Sequence, residues 1–160
     1  LALENVSPAP WNDTDPSSTV VYQNNSYASN GNYSWYGQNK NCIAYCWHDV
    51  EGYSRIGNFF GNGNANGPFV YTGFRPSMII IKAIDRDGTW NLMDTSREPK
   101  NPGSFFYVMN TSTGDDTGAT VNTFSNGFKV DLSSTNFNSN NHKYAFVAFA
   151  ESPLKHSYGR

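Results

Sequence analysis

The stretch "MIIIKAIDRDGTWNLMD", Met78 to Asp94, decides how the rest of the chain is read. Two apolar runs, Met78–Ile84 and Thr89–Met93, stand on either side of Asp87-Gly88, a pair that tolerates the positive φ of a tight turn. β-branched and aromatic side chains suit a pleated sheet, so the stretch reads as a β-hairpin. The pattern recurs. Ser125-Asn126-Gly127 joins Ala119–Phe124 to Gly127–Val130, and further strands are expected at Thr19–Gln23, Cys42–Trp47, Phe69–Phe74, Phe105–Met109 and Tyr144–Ala150. Turn clusters such as "GNGNANGP" and "NSNN" separate them, and nothing sustains a helical period. Short strands so punctuated predict an all-β fold, an antiparallel β-sandwich of jelly-roll or concanavalin-like type. It is expected over residues 41–160, behind an extended N-terminal arm, residues 1–40, carrying one strand.

Composition narrows the function classes. The chain has 160 residues, of which 15% are charged and 16% aromatic, with a net charge of −2. Its polar surface must be built from Asn, Ser, Thr and Gly, which score poorly in helix interiors. There is no basic block, so the electrostatic footprint of a nucleic-acid partner is missing. The longest apolar run, Met78–Ile81, is far too short to span a bilayer. No cofactor motif stands out. The sequence starts at Leu1 without a signal pattern, which reads as a processed form or a piece of something longer. Such a surface is common on secreted and virion-surface proteins.

Cys42 and Cys46 sit in "CIAYCW", whose alternation reads as a strand buried on both faces. Along one strand face their sulfurs would be roughly 13 Å apart, about four residue rises, which is too far for a disulfide. Two free, buried cysteines behaving as small apolar groups are expected. Ile43–Cys46 also echoes Val147–Ala150; if that is true repetition, residues 1–47 are the tail of a preceding unit.

"WHDVEGY", Trp47–Tyr53, places a histidine between acids, but His48 and Asp49 would leave a strand on opposite sides, and no nucleophile motif accompanies them. A polar strand end before a Gly52 turn is the simpler account, and no catalytic residue is assigned. Asp85 and Asp87 resemble the start of a calcium loop without its remaining ligands. Trp11, Trp35, Tyr36 and Tyr53 lie in or beside loops rich in Asn, Asp and Gln, the composition of an aromatic glycan platform. Five sequons, at Asn5, Asn12, Asn24, Asn32 and Asn110, are glycosylation candidates.

From Ile43 to Arg160 the chain resembles a domain of tailed-phage virion proteins, carried by "VEGYS", "GPFVYTGFRP" and "AFAESP", with "WNDTDPSSTVVYQ" resembling the segment that precedes it. The resemblance implies an extracellular β-sandwich of structural or surface-binding type with no enzymatic activity; the large upstream region of such virion proteins does not precede this stretch. The expectation is a non-enzymatic module of a virion fibre or other extracellular filament. Its partners would be copies of itself, and the run Thr19, Val20, Val21 and Tyr22 would add a strand to a neighbour. The alternative is a module that binds cell-surface glycan or receptor.

Overall fold

The computed structural model describes residues 17, 19, 45–104, 106–112, 120–131 and 136–152. The chain divides into two compact units, Leu1–Cys46 and Trp47–Arg160; the second carries all the regular structure described below. Among the described residues its eight strands are β1 (Ser54–Phe60), β2 (Phe69–Tyr71), β3 (Pro76–Ala83), β4 (Trp90–Asp94), β5 (Tyr107–Val108), β6 (Val121–Phe124), β7 (Gly127–Val130) and β8 (Lys143–Ala150). No described residue is helical. One sheet has the order β1-β8-β3-β4-β5 and the other β2-β7-β6, and all pairings are antiparallel. The fold is an all-β sandwich. The chain crosses between sheets from β1 to β2 to β3, then meanders through β4 and β5 before returning β8 between β1 and β3, as in a Greek key.

The core follows from alternation. β8 buries Tyr144, Phe146, Ala148 and Ala150 on one face and β3 turns Ile79, Ile81 and Ala83 the same way. Across from them Val121, Phe128 and Val130 of the smaller sheet are fully buried. Phe59 and Phe146 of the larger sheet meet Phe128 edge-on at 6.2 Å and 5.5 Å between ring centres, a favoured geometry for aromatic pairs.

Four expectations need correction. Residues 45–47 form no strand, and Tyr45, Cys46 and Trp47 are exposed. Cys46 therefore carries an exposed free thiol; Cys42, and Ile43 and Ala44 of the segment that echoes β8, lie outside the described residues. β1 was not legible as a strand, because Gly57 and Asn58 interrupt its apolar alternation. The Met78–Asp94 hairpin exists, but Lys82 pairs with Trp90, so the connection is long rather than a two-residue turn at Asp87-Gly88. In the β6–β7 hairpin Phe124 pairs with Gly127. Its turn residues are Ser125 and Asn126, neither with positive φ.

The long β3–β4 connection is held by side chains. Asp85 accepts the Lys143 amide at 2.9 Å and approaches His142 Nδ1 at 3.2 Å. Arg86 donates to Ser139 Oγ at 2.8 Å. Burial raises the Asp85 pKa, but the Lys143 amide and the hydrogen bond and charge of His142 outweigh it and hold the carboxyl below its ordinary value.

The loop "GNGNANG", 61–67, joins the sheets through asparagine side chains acting as backbone surrogates. Asn64 and Asn66 amides donate to the side-chain oxygens of Asn62 and Asn64. Fully buried Asn138 accepts from the Asn62 amide at 2.8 Å and donates to Asn62 Oδ1 and the Asn64 carbonyl. Gly67 is required here, since a Cβ would collide with the Val130 carbonyl.

Candidate functional site

The segment "WHDVEGY" folds back along the free edge of β1. Gly52 takes φ 72°, a value that glycine adopts without strain, and Val50 pairs with Ser54 through hydrogen bonds of 3.0 and 2.9 Å. Asp49 accepts the Ile56 amide at 2.7 Å and the Arg55 guanidinium at 2.8 Å. His48 Nδ1 lies 2.9 Å from the Asp49 carbonyl oxygen, not from a carboxylate. Histidine and acids thus close a sheet edge that would otherwise offer unpaired backbone groups. The closure ends at Ile56. Asn58 turns its backbone the same way, and no described residue pairs with it on that side.

Beside this edge, between β1 and β2, runs a groove formed by two adjoining clefts of about 360 and 370 Å³ that share Arg55 and Tyr71. Gly57, Asn58, Phe69 and Phe146 line one end and Asp49, Glu51 and Thr72 the other. Tyr71, 64% exposed, stands between them. Gly57 leaves room at the first of these ends: a Cβ there would lie 2.8 Å from the Phe146 ring.

A second surface is larger. The outward face of the five-stranded sheet is crossed by a row with one apolar residue from each strand: Ile56, Val147, Ile80, Leu92 and Tyr107, in register. Met78 and Phe149 extend it toward one end, Ala145 and Trp90 toward the other. Trp90 and Tyr107 are 43% and 49% exposed. An antiparallel sheet with one face in water normally alternates apolar and polar residues; β3 and β8, "PSMIIIKA" and "KYAFVAFA", are apolar on both.

A family model described as a domain of unknown function, DUF7483, matches residues 2–153. The chain belongs to the DUF7483 family. The match begins well upstream of the Ile43 boundary read from sequence. No curated protein and no solved structure matches the chain.

The structure distributes the expected residues of this DUF7483 domain differently from one another. Tyr53 packs edge-on against Phe149, 6.0 Å between ring centres, and does not line the groove. Trp11, Trp35 and Tyr36 lie outside the described residues, as do Asn5, Asn12, Asn24 and Asn32, and Val20, Val21 and Tyr22 of the assembly run. Thr19, its first residue, is described: it is exposed, at a bend, and its amide donates to Ser17 Oγ at 3.2 Å. Asn110 is exposed just after β5, its side-chain oxygen accepting the Trp90 amide at 2.9 Å. Asp85 and Asp87 do not converge: Asp85 spends both oxygens on His142 and Lys143, while Asp87 acts on Lys82. Burial lowers the Lys82 pKa, and the Asp87 charge opposes that. Among the described residues no three His, Cys, Asp or Glu side chains are grouped to hold a metal. Arg55, Asn58 and Tyr71 were missed because β1, which forms one wall of the groove beside β2, was itself missed.

Proposed function

We propose that this chain is a non-enzymatic structural module of an extracellular assembly, a subunit of a virion fibre or similar filament, whose work is contact with other chains. One observation carries the reading: the larger sheet turns a row of apolar side chains away from the core, with Trp90 and Tyr107 exposed, Ile56, Val147 and Leu92 half-buried and Ile80 buried among them, and apolar surface gathered in one patch marks an interaction site. The resemblance of "VEGYS", "GPFVYTGFRP" and "AFAESP" to virion-protein segments supports the same reading. Strand addition from Thr19–Tyr22 is a further route by which one copy would engage the next. Negative-stain microscopy of the purified chain tests it: ordered oligomers or filaments are expected, and uniform single monomers at high concentration would count against it.

The groove favours a second reading. Tyr71 offers an exposed ring flanked by Arg55, Asp49 and Glu51, the combination of flat apolar face and hydrogen-bonding groups that suits a sugar ring. Saturable binding on a glycan array, lost in Tyr71→Ala, is its expected result; a blank array would remove it.

A further inference from the structure

We infer that the outward face of the five-stranded sheet binds the same face of a second copy, the two related by a two-fold axis running across the strands. The inference rests on the assembly reading above and names the surface and its partner. Charge is what selects a second copy. Among the strand residues that face outward, Lys82 and Lys143 lie toward one end and Asp94 toward the other, although Asp85, beside His142 and the Lys143 amide, adds an acid at the lysine end. Lys82 ends the outward side of β3 beside Trp90, and Asp94 ends that of β4 beside Met78. On β8, Lys143 opens the strand and Glu151 follows it.

A two-fold axis along the row Ile56–Val147–Ile80–Leu92–Tyr107 lays that row on its own copy and exchanges the two ends. Lys82 then lies over the partner's Met78–Asp94 end. Lys143, two outward positions before Val147, comes to the place of Glu151, two positions after it. Packing the faces without that reversal would stack like charges at both ends. Asp87 near Lys82 and Arg75, 3.5 Å from Glu151, temper each end. The charges therefore set orientation more than affinity, as is usual for partly exposed pairs. Two sheets packed this way keep their strands nearly aligned about one layer of side chains.

Size fits a specific but modest contact. Five strands at about 4.8 Å and three rows at about 6.8 Å give roughly 24 by 20 Å, about 500 Å² per copy and about 1,000 Å² in all, the lower bound for a specific interface. An isologous pair of this kind is closed by itself, so filament growth would need another surface, and the groove-side edge at Asn58 lies on a different part of the sandwich.

Sedimentation velocity of the full chain between about 1 and 100 µM tests the inference, with far-UV circular dichroism and melting as controls that each variant folds. The unaltered chain is expected to form dimers at the upper concentrations. Leu92→Lys, which places a charge at the centre of the face, should raise the dissociation constant at least tenfold. Lys82→Glu should weaken the dimer and Lys82→Glu with Asp94→Lys on the same chain should recover it. Because Asp94 Oδ1 also accepts the Ser96 amide, the swap Lys143→Glu with Glu151→Lys serves if the first pair fails to fold. A chain monomeric throughout the range would overturn both the dimer and the self-assembly reading. Assembly indifferent to Leu92→Lys, or a charge swap no better than its single changes, would overturn the dimer face alone.

Discussion

Leu92 and Met93 are neighbours on β4, similar in size and both apolar, and they face opposite worlds. Met93 is 1% exposed among the side chains between the sheets; Leu92 sits half-buried on the outward face, flanked by Ile80 and Tyr107 of the neighbouring strands. The contrast extends along the whole larger sheet: Ile79, Ile81, Tyr144 and Ala148 inside, Met78, Val147 and Phe149 outside. What differs is not the residue type but whether a second layer exists to cover it. The inward face meets the smaller sheet. The outward face carries the composition of a core on a side that no described strand covers.

Truncation separates the two faces most sharply. Met93→Ala should cost about 2–5 kcal/mol of unfolding free energy, the range for emptying a packed site. Leu92→Ala should cost less than half as much, since water and neighbours fill the space. Equal losses in urea denaturation would break the contrast. The next effect in size lies at the rim of the inner layer. Asn138→Ala strips partners from the Asn62 amide, the Asn62 side chain and the Asn64 carbonyl together, and buried groups left unpaired cost about 1–3 kcal/mol each. A loss near 3 kcal/mol is expected, with faster amide exchange confined to residues 61–67.

Gly57→Ala probes where the inner layer opens into the groove. Its Cβ would press the Phe146 ring, and overpacking of this kind costs about 1–3 kcal/mol; the Tyr71 end of the groove should be unchanged. A neutral substitution would mean that the ring yields without strain. The smallest effect is electrostatic. Asp85 has a folded pKa below its ordinary 3.8, so its contribution is fully present above that value and is lost as pH falls through the lower folded value. Asp85→Asn should flatten stability between pH 5 and 2 relative to the unaltered chain, and identical pH profiles would contradict the role given to the carboxyl.

Much of the fold was readable. Turn residues and β-branched runs marked seven of the eight described strands, β8 among them, but "KYAFVAFA" is apolar on both faces and did not say which one turns inward. What escaped depended on partners distant in sequence. β1 is a strand because β8 pairs with it from Ser54 to Phe60, not because "SRIGNFF" has strand propensity throughout. "CIAYCW" has that propensity, yet its described residues, 45–47, lie exposed and outside any strand. The same limit applies to the site. Tyr71 becomes a groove residue only once β1 and β2 lie on neighbouring edges, and the outward row exists only in the register of five strands. "WHDVEGY" was legible as a turn, and its role in closing the β1 edge required the position of Ile56.

The central claim is that the outward face of the larger sheet is a contact surface. Hydroxyl-radical footprinting of the full chain, at concentrations below and above assembly, measures it directly. The account predicts that Trp90, Tyr107 and Met78 lose reactivity on assembly while Tyr71 keeps it; protection of Tyr71 with Trp90 and Tyr107 still reactive would contradict it.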